Sequence, residues 1–154
     1  MKPLPMLTFG APANGWLPIR VGEHEIYASD VPCDSIQQLT SSLLAFICGS
    51  KHEIVEWSLE PEYERWIFKE EEGVISWIIE DHRKETIHVI HSSRTVISQI
   101  IVRGLRYLHY TYFSVSETND HKWSWPFPIE DLKEIESKIS DQVFANDSGG
   151  SAPS

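Results

Sequence analysis

The chain has 154 residues, 41% of them hydrophobic, and its 23 acidic and 13 basic residues give a formal net charge of −10. That is about one domain, long enough to bury roughly two thirds of the surface its unfolded chain exposes. The acidic balance argues against nucleic acid, whose binders present basic faces to phosphate, and no apolar run approaches the roughly 20 residues of a membrane span.

Residues 1–13 are rich in proline and small residues and read as a loose leader. Met1 to Leu7 carries one charge and two prolines, unlike a secretory signal. Asn14-Gly15 signals a turn into a first strand, Trp16 to Val21, which Pro18 would confine to an edge or a bulge. Gly22-Glu23 turns the chain, and His24 to Ala28 can return as its partner. Asp34 with Gln37 three residues on resembles a capping box, and Ile36, Leu39, Leu43, Leu44 and Ile47 form one helix face that Gly49 ends. Cys33 and Cys48 stand at the two ends of this helix, roughly 20 Å apart and far beyond the disulfide reach of about 7 Å, so free thiols and a reducing cytoplasm are expected.

Glu53 to His91 reads as four consecutive antiparallel strands. Val55, Trp57 and Leu59 alternate with Ile54, Glu56 and Ser58. Tyr63, Arg65 and Ile67 alternate with Glu64, Trp66 and Phe68, and Ile75, Trp77 and Ile79 with Val74, Ser76 and Ile78. The turn Asp81 to Lys84 leads into Thr86-Ile87-His88-Val89-Ile90. A second helix follows from Arg94 to about Tyr112, with Ile97, Ile100, Ile101, Leu105 and Leu108 along its stripe and Gly104 set for close packing. A last helix starts at Ile129, with Glu130 and Asp131 well placed in its first turn. Residues 146–154 read as a disordered tail by composition. The fold class is therefore α+β: a single domain over residues 14–145, with an antiparallel sheet of five or six strands and helices on one face.

No chemistry-bearing motif stands out. The seven histidines lack metal-ligand spacing, no nucleophile elbow occurs, and the Gly149-Gly150 pair lies in the tail rather than in a phosphate loop. Neither a cofactor nor a metal is expected. Glu62 and Glu64, two apart on one strand face, are the nearest approach to an acid–base pair, but carboxylates on a solvent-facing strand ordinarily stay hydrated. Glu70-Glu71-Glu72-Gly73 is a charged hairpin tip that either discourages edge association or forms an acidic prong. Trp123, Trp125 and Phe127, set among prolines, either cover the end of the core or form a binding ledge; the expectation is one ring buried and one exposed.

Asn14-Gly15-Trp16-Leu17-Pro18-Ile19, the capped helix, Trp57-Ser58-Leu59-Glu60-Pro61-Glu62 and Trp66-Ile67-Phe68 together resemble small bacterial proteins with an NGWL…W-x-x-EP…W pattern. Several of these are immunity proteins encoded beside polymorphic or contact-dependent-inhibition toxins. The likeness covers residues 14–112, and Glu62 stands where the pattern prefers glycine. It implies a non-enzymatic cytoplasmic protein that neutralises a toxin by occlusion and offers no catalytic residues to carry over. The expected partner is a protein, a basic toxin domain, with Glu60, Glu62, Glu64, Glu70, Glu71 and Glu72 steering it by their field and Trp123 and Trp125 anchoring it. The alternatives are a small-ligand or regulatory domain using the sheet face as a pocket wall, and a hydrolase built on paired carboxylates.

Overall fold

The computed structural model describes residues 3–114 and 123–150, with 146–150 described in their backbone alone. Seven strands form one antiparallel sheet in sequential order: β1 (Leu7–Phe9), β2 (Trp16–Val21), β3 (His24–Ser29), β4 (His52–Ser58), β5 (Tyr63–Glu71), β6 (Val74–Glu80) and β7 (Thr86–His91). Helix α1 (Ser35–Ile47) is inserted between β3 and β4, α2 (Arg94–Leu108) follows β7 and runs into a π turn at His109–Phe113, and α3 (Ile129–Gly150) closes the described chain. The α+β class stands, with one or two more strands than expected.

The extra strand comes from the leader. Leu7 and Phe9 are buried and pair with Val21 and Ile19, so residues 7–9 belong to the domain. Pro18 is the second correction, because β2 lies between β1 and β3 rather than at an edge. The proline is tolerated because its backbone faces the end of β1. Its carbonyl accepts from the Gly10 amide at 2.9 Å, and the amide hydrogen it lacks falls where β1 has already stopped. Part of the expected tail is the third correction. Helix α3 continues through Gly150, because its packed first turns have already met the cost of nucleation, while residues 151–154 lie outside the described residues.

Alternation decides which face is covered. Val55, Trp57, Trp66, Phe68, Trp77, Ile79 and Ile90 point to one side and are buried. Trp57, Trp66 and Trp77 touch in succession across β4, β5 and β6, with ring centroids 5.0 Å apart at each step. Phe68 stacks on Trp77 and meets Phe46 of α1, while Phe9 of β1 reaches Trp57. That last contact spans from β1 to β4, so the covered face is concave. Helix α1 packs on β4 and β5, α2 packs on β1, and α3 lies along both α1 and α2.

Strands β3 and β4 pair only at Ser29 and Ser58. The edge of β4 freed by this split is satisfied by α1: the Glu56 amide donates to Gln38 Oε1 at 3.2 Å, and Ser35 Oγ donates to the Glu56 carbonyl at 2.7 Å. Asp34 caps α1 by accepting from the Gln37 amide, but the Gln37 side chain turns away from the expected box and donates to Asp131 of α3 at 2.8 Å. Ser93 caps α2.

Gly104 places α2 directly on β1, as its sequence context suggested. A Cβ at this position would stand 2.9 Å from the Leu7 carbonyl oxygen and 3.0 Å from Leu7 Cγ. Gly104→Ala is therefore expected to destabilise despite better helix propensity. Overpacking against backbone costs about 1–3 kcal/mol, against about 1 kcal/mol regained from replacing a helical glycine. Urea denaturation should show a lower midpoint at unchanged slope; a variant more stable than the parent would mean that β1 yields.

Candidate functional site

The face of β4–β7 that carries no helix is ordered by register into rows. Ile54 pairs with Ile67, Ile67 with Ile78 and Ile78 with Val89, giving an apolar row across all four strands. Its two ends are well exposed, Ile54 at 42% and Val89 at 40%. Such β-branched neighbours support strand pairing, and here they also leave an apolar band open to solvent.

Polar rows flank it. On one side Glu56, Arg65 and Glu80 stand in register, and Arg65 bridges to Glu80 at 3.3 Å while donating to the Tyr63 hydroxyl at 3.1 Å. On the other side stand His52, Lys69, Ser76 and His91, with Ser76 Oγ and His91 Nδ1 3.0 Å apart. A shallow depression of about 310 Å³ opens at this side, lined by Val74, Ile78, His91 and Glu72 and by Lys69, which pairs with Glu71 at 3.0 Å. An apolar centre with a polar, partly charged rim is the anatomy of a protein interface.

The six expected steering carboxylates divide. Glu60 and Glu62 are exposed on the β4–β5 turn, and Glu71 and Glu72 are exposed at the β5–β6 tip. These two pairs sit at opposite ends of β5, roughly 27 Å apart for a nine-residue strand. Glu64 does not steer: it faces the core, 1% exposed, opposite Trp57. The signal was present in the sequence, since Glu64 keeps step with Trp66 and Phe68. Glu70 is also taken. It holds Arg94 at 2.8 Å, while Arg94 donates to the carbonyls of Phe46 and Ser50 and lies over the Phe46 ring. One guanidinium thus joins the end of α1, the end of β5 and the start of α2.

The two tryptophans split as expected. Trp123 is buried at 5% exposure, part of the core and not an anchor, and Trp125 is half-exposed at 39%. Two adjacent residues of this segment are fastened to Asp30, just after β3: the Ser124 amide donates to the Asp30 carboxylate and Trp125 Nε1 to the Asp30 carbonyl, each at 2.7 Å. His121 and Lys122, the polar start of the aromatic segment, lie outside the described residues.

Glu62 and Glu64 do not form an acid–base pair. Glu62 lies 3.5 Å from His82, and Glu64 binds His24 Nε2 at 2.5 Å. The second Glu64 oxygen is buried without a hydrogen-bond partner among the described residues. Burial pushes the Glu64 carboxyl above its ordinary range, and the Asp81 charge adds to this, whereas His24 pulls it back only in part. The depression beside Glu72 is lined by other residues, so the His24–Glu64 pair does not border it. Among the described residues, no three His, Cys, Asp or Glu side chains gather as a metal site requires, and no helix is long and apolar enough to cross a membrane. Cys33 and Cys48 are both free.

No family model matches the chain, and no curated protein or solved structure matches it.

Because the folded state holds Glu64 above its ordinary value, stability linked to this group is intact at low pH, where it is protonated folded or unfolded. It is lost as pH rises through the raised folded value. Glu64→Gln should therefore gain stability relative to the parent as pH climbs from the ordinary carboxylate range, and then level off. Chemical denaturation across pH would measure this. A difference that stays flat or falls would mean that His24 outweighs the burial.

Proposed function

We propose that the protein is a non-enzymatic binding protein of the immunity type, which occludes a basic protein partner with the helix-free face of β4–β7. The observation that carries this reading is the row Ile54–Ile67–Ile78–Val89. It is an apolar band left open on a sheet whose other face already holds the core and every described helix. Apolar surface rimmed by polar groups is what a partner can desolvate with net gain.

The electrostatics favour a basic partner. The chain carries −10, and four of the six carboxylates expected to steer are exposed on the two flanks of the band, Glu62 beside His82 and Glu71 paired with Lys69. The depression beside Glu71 and Glu72 is of a size to take one basic side chain. Charges placed on the rim raise the association rate, while the desolvated centre sets dissociation. The immunity assignment itself rests on the sequence resemblance. Trp125, fastened to Asp30, contributes a rigid ring but stands apart from the band.

The product of the reading frame beside this gene is the partner to test. Stopped-flow association should slow markedly as salt rises from low to physiological levels, with little change in dissociation. Replacing Glu60, Glu62, Glu71 and Glu72 by lysine should slow association without unfolding the protein, since all four are exposed. Ile67→Asp should instead speed dissociation and cost more than about 2 kcal/mol in affinity, the range of an interface hot spot. Full affinity in Ile67→Asp would remove the sheet face from the interface, and rates indifferent to salt and to the four lysines would leave the acidity a matter of solubility.

A further inference from the structure

A second recess lies away from the sheet face. It is a groove of about 600 Å³ between the N-terminal arm, Leu4 to Phe9, and one side of α2. Its volume falls within the range of small-molecule sites, about 300–1,000 Å³. Gly104 sets its floor by letting α2 rest on Leu7. Its walls are apolar: Leu4, Met6 and Tyr107 are all large side chains left substantially exposed, and Ile100 and Val96 stand beside them. From Val96 to Tyr107 the helical wall runs about 16 Å.

Two polar side chains on this wall are unusual. Arg20, Arg65, Arg83, Arg94 and Arg106 each bind a carboxylate of the protein. Arg103, the remaining arginine, has no ion pair or hydrogen bond among the described residues. Gln99, four residues earlier and so on the same side of the helix, has none either, and both line the groove. Among the described residues of this chain of net charge −10, Arg103 is thus the arginine without a carboxylate partner, exposed at the rim of the apolar groove and, with Gln99, also bordering a shallower depression beside Arg106 and Glu136.

We infer that the groove between the N-terminal arm and α2 binds an amphipathic monoanion, a carboxylate with an alkyl or similarly apolar body. The guanidinium fork matches a carboxylate in two parallel hydrogen bonds, and the Gln99 amide can donate a third. The apolar body lies along Leu4, Met6, Ile100 and Tyr107 and covers surface that water now wets. One arginine in a strongly acidic protein favours a single negative charge over a dianion, because the surrounding field penalises each added charge. This site is independent of the sheet-face reading and shares no residue with it.

Calorimetric titration of the full chain with decanoate, decanol and decyltrimethylammonium, each below its micellar concentration, tests the inference. Decanoate should bind saturably at one site, decanol about tenfold more weakly, in keeping with the loss of a charge-assisted pair, and the cation not at all. Arg103→Gln should bring decanoate down to the level of decanol and leave decanol unchanged, whereas Met6→Glu should weaken both. Both positions are exposed, so neither change threatens the fold. Equal binding of decanoate and decanol, indifference to Arg103→Gln, or uptake without saturation would each overturn the inference. So would sedimentation showing a dimer that Met6→Glu dissociates, since a second copy would then occupy the groove.

Discussion

The contact of Trp57 with Trp66 and of Trp66 with Trp77 constrains the remainder of the structure. Three indoles on successive strands put so much apolar area on one side of β4–β6 that the helices have only one place to go. Helix α1 brings Phe46 onto Phe68 at one end of this ladder, and β1 brings Phe9 onto Trp57 at the other. The concave face is thereby filled from both directions. The indole nitrogens of the three tryptophans find no acceptor among the described residues. Their burial carries a desolvation cost that the packed ring area has to outweigh.

Polar contacts then fix how the helices sit on that core. Arg94 is the most connected of them, with three partners, from α1, the turn after it and β5, and a ring beneath it. Helix α3 is held by Gln37 to Asp131, Arg106 to Glu136, and Gln142 to both Thr95 and the Ile47 carbonyl. Half-buried charge-assisted bonds of this kind contribute more than exposed ion pairs such as Arg83 with Glu85. The core supplies the bulk of the free energy, while these contacts select one arrangement of helices over others that would cover the same apolar area.

The surface that results presents two features of different character. The sheet face is a band rimmed by charge, suited to a flat macromolecular partner. The recess beside α2 is concave and apolar, with one guanidinium that has no partner among the described residues, suited to a small amphipathic anion. Each exists because of what the core leaves uncovered: the band because alternation sends every second side chain outward, the recess because α2 rests on β1 at Gly104 and leaves a groove beside the N-terminal arm.

Periodicity made the fold class legible from the chain alone. A strand sends alternate residues to opposite faces, and a helix repeats every three or four residues, by geometry internal to each segment. That geometry sufficed for β4 to β7, for α1 and α2, and for the start of α3. It also carried the burial of Glu64, in step with Trp66 and Phe68, though a glutamate at a core position is legible only when its partner is known, and His24 lies 40 residues away. Glu70 was indistinguishable from Glu71 and Glu72 until Arg94 came beside it. Leu7 and Phe9 lay in a proline-rich leader too short to show alternation, and their burial depended on β2 and α2 arriving against them. Pro18 could sit inside a sheet only because β1 ended opposite it. The apolar row from Ile54 to Val89, and Gln99 and Arg103 with side chains unpaired among the described residues, share this origin. Which side chains meet, and which are left without a partner, is a property of elements brought together from distant parts of the chain, and only the tertiary structure decides it.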